Sequence, residues 1–454
     1  MTLRAIGGLA CLNALFLAVG SSVVWSLRGW RTWRCYLRLA GLAYLLGVTL
    51  LGVVWTFLLV SGVPFGGAAI LLSAALVCAV ALGVAIRLGR TRPVLGVPAV
   101  LTRLSLFAVA GVALAGLLAE ALFRGARLQG LYAFDAWAFW IPKAEAIYFF
   151  GGLDEQVFTR LPGPTYPPLL PALDAAAFHA MGGADVVTLH LQFWFLTFGF
   201  LAAAAGILWR HVPSWILWPM LLLTFVAPRA SGHLTTPQAD FLLDFLFCTA
   251  ALLGALWVVD RAPWRLVAAT TLLGGAVLTK REGALLAAIL LFALTLFTFD
   301  RRRDAWPKLM LAAGAVVAAG VPWRIWYANR GIGGEAPSSA ALDLGDAREA
   351  LRLSLDVFFD ISLWSIVPVL AFASVVLAAV WGNRRQAVLL GAILALILLG
   401  GAWFTVAFEL PITADEALNP IVRYTASAVL LGGVGSALLL AGVWERCSTS
   451  RARR

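Results

Sequence analysis

The sequence predicts an all-α, polytopic membrane protein with about 13 transmembrane helices. Three observations carry this. Of 454 residues, 62% are hydrophobic and only 13% charged, whereas a soluble domain has roughly a quarter charged. Apolar runs of about 20 residues recur from end to end, each long enough to cross a bilayer as a helix. Basic residues fall in short clusters between those runs: Arg28, Arg31, Arg34 and Arg38; then Arg87, Arg90, Arg92 and Arg103; then Arg301, Arg302, Arg303 and Lys308. A water-soluble enzyme, a disordered chain and a disulfide scaffold are excluded. One apolar run would suit a signal peptide, but a dozen do not. The net charge of +11 is therefore read as cytoplasmic loop clusters, and no nucleic-acid partner is expected.

Taken in order, the predicted spans are 4–26, 39–61, 66–87, 103–122, 186–209, 213–227, 239–258, 264–279, 283–299, 308–327, 362–382, 386–408 and 421–443. An odd count puts the termini on opposite sides. With the N-terminus outside, most basic residues fall on the inner side and most acids on the outer. The tail Arg446, Arg451, Arg453 and Arg454 then reads as cytoplasmic. The expected location is the cytoplasmic (inner) membrane. Residues 1–102 read as three additional helices, 103–443 as the main module and 444–454 as a basic tail.

Two external loops are long, at about 123–185 and 328–361, and long loops are uncommon unless they are functional. The first holds the proline cluster Leu161-Pro-Gly-Pro-Thr-Tyr-Pro-Pro-Leu-Leu-Pro171. In it, Phe134, Trp137, Ile141, Ala144 and Tyr148 recur at helical spacing. Trp137, Trp140 and Tyr148 suit a helix lying at headgroup level. The five cysteines (11, 35, 78, 248 and 447) show no metal spacing, and no external disulfide is implied.

The outer side carries an unusual set of ionisable residues. Asp135 lies in Phe-Asp-Ala-Trp-Ala-Phe-Trp-Ile-Pro-Lys-Ala-Glu. A carboxylate among interfacial aromatics suits a general base for an acceptor hydroxyl; the plainer reading is a solvated acid near Lys143. Asp240 opens a helix, where an acid also complements the dipole. Asp244 lies one turn deeper on the same face, and an ionisable group there faces a cavity or a partner. With His233, Asp135 and Asp240 form a loose candidate set for a divalent cation, without a defined spacing. Lys280, Arg281 and Glu282 make a compact corner in Leu278-Thr-Lys-Arg-Glu-Gly283, which also reads as a simple turn. Arg423 heads the last helix and Arg324 closes an earlier one. These outward cations oppose the general charge bias. Either they bind a lipid phosphate or they snorkel to headgroups. No Walker loop, GxSxG, HExxH or CxxC occurs.

Five of these motifs, in order, resemble the GT-C superfamily of integral membrane glycosyltransferases, in its bacterial protein-mannosyltransferase-like and aminoarabinose-transferase-like branch. They are Asp135-Ala-Trp-Ala-Phe-Trp-Ile-Pro-Lys-Ala144, Tyr166-Pro-Pro-Leu-Leu-Pro171, Ala239-Asp240, Leu278-Thr-Lys-Arg-Glu-Gly283 and Arg423-Tyr424. The likeness covers about 103–443. Two departures stand out. Asp135 lacks an acidic neighbour, so Asp154 and Glu155 in the same loop compete for its role. Three helices also precede the matching region.

The resemblance implies a polyprenyl-phosphate-linked sugar as donor and a glycolipid, lipid-linked glycan or cell-envelope polysaccharide as acceptor. Asp135 would be the catalytic base. Lys280, Arg281, Arg423, Tyr424 and Arg324 would bind the donor phosphate. Lys143, Tyr166, His233, Asp240, Asp244 and Glu282 would line the substrate site. The competing class is a lipid or lipid-linked-sugar transporter, whose ionisable sites tend to lie near the midplane. Here they lie toward one face.

Overall fold

The computed structural model describes residues 1–30, 32–90, 105–333, 344–408, 410 and 420–452. Arg31, Arg92, Arg103, Arg453 and Arg454 and the middle of the second predicted loop lie outside the described residues. Among those described, every regular element is helical. The chain opens with α1 (Leu3–Leu27), α2 (Trp33–Val60) and α3 (Gly67–Arg87). Thr2 and Thr32 cap the first two by accepting backbone N–H groups from Ala5 and Cys35, which satisfies otherwise orphaned donors. Next comes α4 (Leu106–Leu128).

The first long loop is largely structured. A π-helical turn, Ala136–Trp140, runs into α5 (Ile141–Phe150), followed by α6 (Glu155–Arg160) and α7 (Leu169–Met181). The π turn shifts the phase of the apolar stripe. Phe134 and Trp137 remain exposed while Ile141 and Ala144 turn inward. Trp140, expected at headgroup level, is fully buried instead.

The remaining helices are α8 (Val186–Leu208), α9 (Ser214–Val226), α10 (Pro228–His233), α11 (Ala239–Asp260), α12 (Pro263–Thr279), α13 (Glu282–Leu296), α14 (Arg302–Ala328), α15 (Leu344–Phe358), α16 (Ile361–Trp364), α17 (Val367–Trp381), α18 (Arg384–Ala407) and α19 (Pro420–Ala452). Nine helices among the described residues are long and apolar enough to cross a membrane. The other four predicted spans are the shorter helices α9, α12, α13 and α17.

Helix α11 forms the centre, with 94% of its apolar window buried, while α4 lies at the rim with 11%. Around α11 pack α8, α12, α13 and α19. Helix α2 is wedged against α1, α7, α8 and α12, so the first three helices join the same bundle. A buried polar clamp fixes their register: Asn13 donates to Gln192 at 2.8 Å, and Tyr44 donates to Asn13 at 2.6 Å. With few hydrophobic gains available between helices in lipid, such side-chain bonds specify which helices meet.

Two short helices meet at the site. Helices α12 and α13 have 17 and 15 residues, or about 26 and 22 Å at the helical rise. A hydrocarbon core is about 30 Å thick. The corner between them meets the starts of α11 and α19, where Asp240 and Arg423 stand.

Candidate active site

The corner between α12 and α13 collects the charges. Gly283 allows it: a Cβ there would meet the Ala276 carbonyl oxygen at 2.0 Å, so only glycine lets α13 leave so close to α12. Lys280 is buried and donates to Asp240 at 2.6 Å, with Glu282 at 3.1 Å. Two acids therefore balance one ammonium. On the other flank Arg423, from α19, donates to Asp135 at 2.6 Å. The Arg423 charge also acts on Asp240, so the two ion pairs belong to one network. One turn deeper on α11, Ser427 donates to one Asp244 oxygen. The other Asp244 oxygen has no partner among the described residues. Tyr424 is buried and sets its ring against Phe404.

Tyr166 joins the loop to this network. Its ring stacks on Trp140, with centroids 5.4 Å apart and planes 14° apart. On its faces lie the Lys280 ammonium at 5.9 Å and the Arg281 guanidinium at 5.3 Å, cation–π geometry in both cases. Burial, then the charge of Glu282, holds the Tyr166 phenol above its usual range. The preceding turn depends on Gly163, whose φ is +60° and whose Cβ would meet the Tyr166 ring at 2.5 Å. Lys143 secures that turn by donating to the Gly163 carbonyl at 2.6 Å. Burial pushes the Lys143 ammonium down to about 7. Trp323 holds the next stretch by donating to the Thr165 carbonyl at 2.9 Å.

Two spaces adjoin the network. A pocket of about 100 Å³ is lined by Tyr166, Arg281, Glu282, Pro420, Arg423 and Tyr424. A groove of about 620 Å³ runs between α13, α14 and α18, with walls such as Leu285, Leu291, Val317 and Trp403. Arg281 borders both spaces. It is caged by Tyr166, Phe404 and Phe408, the last two at 5.4 and 5.5 Å. Arg324 is exposed and lines the groove.

The arrangement brings together Asp135, Tyr166, Asp240, Lys280, Arg281, Glu282, Arg423 and Tyr424 of the predicted residues. Lys143 serves the loop scaffold. Asp154 caps α6 by accepting from Val157 N–H at 2.9 Å, and Glu155 pairs with Arg330 at 3.5 Å. His233 accepts from Arg229 at 2.7 Å. Burial, then the Arg229 charge, pushes its imidazole down to about 4. Among the described residues no group of three His, Cys, Asp or Glu is placed to hold a metal. Asp135, Asp240 and His233 each face a different cation, so this donor set does not fit a divalent ion.

Sequence reasoning missed the site roles of Trp140, Gly163, Trp323, Phe404 and Phe408. Pro-Gly-Pro signalled a tight turn at Gly163. Phe404 and Phe408 share a helix face by their spacing of four, but nothing local ties them to Arg281.

The multi-pass helical bundle has a GT-C-like fold. In particular, the chain is similar to the crystal structure of ArnT from Cupriavidus metallidurans bound to undecaprenyl phosphate, with TM-score 0.51 and 16% sequence identity. The match covers 74% of this chain and 60% of that one, so the chain spans less than two thirds of that structure's length. No protein-family model matches the chain, and no curated protein does.

Proposed function

We propose that this protein is a membrane glycosyltransferase. It moves a sugar from a polyprenyl-phosphate donor to an acceptor hydroxyl at the outer face of the cytoplasmic membrane. The observation that carries this reading is the seating of Arg281. It stands at the head of an apolar groove and beside a pocket that also meets Arg423. A polyprenyl phosphate has the same two parts, an apolar tail and an anionic head. The undecaprenyl phosphate held by the structural neighbour supports that lipid class.

In this mechanism the prenyl chain lies along the α13–α14–α18 groove, with Arg324 at its wall. The phosphate sits against Arg281 and Arg423, and Tyr424 lines the same pocket. Lys280, already matched by Asp240 and Glu282, keeps the floor rigid and adds positive potential through the Tyr166 ring. Asp135 takes the acceptor's hydroxyl proton. The acceptor oxygen bonds to the anomeric carbon as the bond from that carbon to the phosphate oxygen breaks. The electron pair leaves on the phosphate, where fixed cations stabilise it. Attack opposite the leaving group inverts the anomeric centre. Asp154 and Glu155 are weaker candidates for the base, since they pair with Val157 N–H and Arg330, whereas Asp135 pairs with the pocket-lining Arg423. Residues 103–443 would form the catalytic module, with α1–α3 as an addition packed into it. The N-terminus would lie outside and the tail in the cytoplasm.

The acceptor is read as a glycolipid, lipid-linked glycan or cell-envelope polysaccharide, because the described loop residues hold no large domain to grip a protein. The test is a panel of labelled polyprenyl-phosphate sugars offered to the purified protein with a crude lipid acceptor fraction. Release of polyprenyl phosphate from one donor is the expected result. Absence of both release and donor binding across the panel overturns the reading and directs attention to lipid translocation.

A further inference from the structure

A second basic cluster lies at the opposite end of the bundle. Helix α11 begins with the site's Asp240 and ends at Asp260, 22 residues in all, or about 33 Å. Helix α12 returns from Arg265 to Lys280. The far end therefore sits about one membrane thickness from the network described above. There the α1–α2, α8–α9 and α11–α12 turns meet. A cavity of about 160 Å³ between them is lined by Arg28, Arg38, Arg210, His211, Trp264 and Arg265. A trough of about 1000 Å³ shares Arg38, Gly206 and Arg210 with that cavity and continues along Leu37, Val112, Ala202 and Trp218.

Basic groups outnumber acids there, although Arg210 and His211 also line an adjoining cavity with Asp260 and Glu445. Arg265 pairs with Asp260 at 3.1 Å. Arg28, Arg38 and Arg210 form no ion pair with a carboxylate among the described residues, and no carboxylate lines the first cavity or the trough. Arg28 and Arg38 both donate to the Cys35 sulfur, at 3.1 and 3.7 Å, and sulfur is a weak acceptor. Arg38 lies within electrostatic reach of both Arg210 and Arg28. The backbones hold this crowding in place: a Cβ on Gly206 would meet the Arg38 carbonyl oxygen at 1.8 Å. Guanidinium groups gathered against their mutual repulsion are matched by an anion with several acceptor oxygens. The apolar trough continuing from them is matched by hydrocarbon chains.

We infer that this end of the protein binds a membrane lipid through its phosphate headgroup. The phosphate lies among Arg28, Arg38 and Arg210, and the acyl chains occupy the trough between α2, α4, α8 and α9. Basic pockets between membrane helices recognise anionic headgroups by this chemistry. The inference does not rest on the transferase reading.

Native mass spectrometry of the full chain, freed from detergent, tests it. The ligands are phosphatidylglycerol, phosphatidylcholine with the same chains, and inorganic phosphate as competitor. The variants are Arg38→Gln/Arg210→Gln and Val112→Trp, the second filling the trough while leaving every charge in place. The wild type is expected to prefer phosphatidylglycerol. Both variants are expected to lose one bound phosphatidylglycerol per chain, with affinity down about tenfold or more, the equivalent of 1.4 kcal/mol. Millimolar phosphate is expected not to displace the lipid. Unchanged occupancy in either variant overturns the site as drawn, and displacement by phosphate alone replaces the lipid with a free anion.

Discussion

Arg423 donates a 2.6 Å hydrogen bond to Asp135 across 288 positions of sequence. The residue proposed to receive the donor phosphate thus holds the residue proposed to receive the acceptor's proton. The pair holds the carboxylate beside Arg423, which lines the pocket, and an arriving phosphate would compete for the same guanidinium. Arg423→Ala is expected to weaken donor binding about tenfold or more, since a charge-assisted contact is lost. Arg423→Lys is expected to keep part of the affinity, because the charge remains while the planar fork is gone. Titration with labelled donor checks both. Unchanged affinity in the alanine variant removes Arg423 from the phosphate site.

Lys280 is expected to be worth more to folding than to selectivity. Its removal leaves Asp240 and Glu282 buried without their cation, a loss of roughly 3–5 kcal/mol for a buried pair. Lys280→Met should lower the unfolding midpoint sharply. Lys280→Met/Asp240→Leu should cost less than the two single changes added together, because Asp240 no longer stays behind without its cation, although Glu282 still does. Thermal unfolding in detergent of all four forms measures this coupling, and strict additivity contradicts it.

Gly163→Ala tests the loop turn. At a φ of +60° and with the Tyr166 ring 2.5 Å away, alanine meets both backbone strain and a clash. Strain of this kind costs about 1–3 kcal/mol. The expected result is a lower unfolding midpoint and a displaced Tyr166, read as changed tryptophan fluorescence from its stacking partner Trp140. Retention of both signals contradicts the role given to this turn.

Lys143 gives a pH dependence with a definite sign. Its ammonium is lowered from 10.5 to about 7 by burial. Below about pH 7 it is protonated folded and unfolded alike, and the burial penalty is fully present. Between about 7 and 10.5 the unfolded chain binds the extra proton, so stability rises with pH. Wild type is therefore expected to gain stability relative to Lys143→Met across that window. A constant difference between the two forms contradicts the assignment.

The charged half of the site was legible in the sequence for a simple reason. Asp135, Asp240 and Arg423 interrupt apolar or aromatic stretches, Lys280 belongs to a compact charged corner between two apolar runs, and the family resemblance supplied their order. The aromatic half was not legible. Trp140 lies in a π-helical turn, and one inserted phase shift carried it from the expected interface into contact with Tyr166. The groove arises where α13, α14 and α18 meet, and no local periodicity encodes that meeting. Helix α7 falls inside the first predicted loop, where the proline cluster leads directly into an apolar helix. The short spans α12 and α13 were read as ordinary crossings, and nothing in them showed that their corner meets the starts of α11 and α19.

The most direct test of the central claim is single-turnover transfer by wild type and Asp135→Asn with the donor identified in the panel. Donor binding and unfolding temperature are followed in parallel. The account expects transfer to vanish in the variant while donor binding and folding persist, because only the proton acceptor has been removed. Transfer at the wild-type rate by Asp135→Asn contradicts it and moves the base elsewhere in the loop.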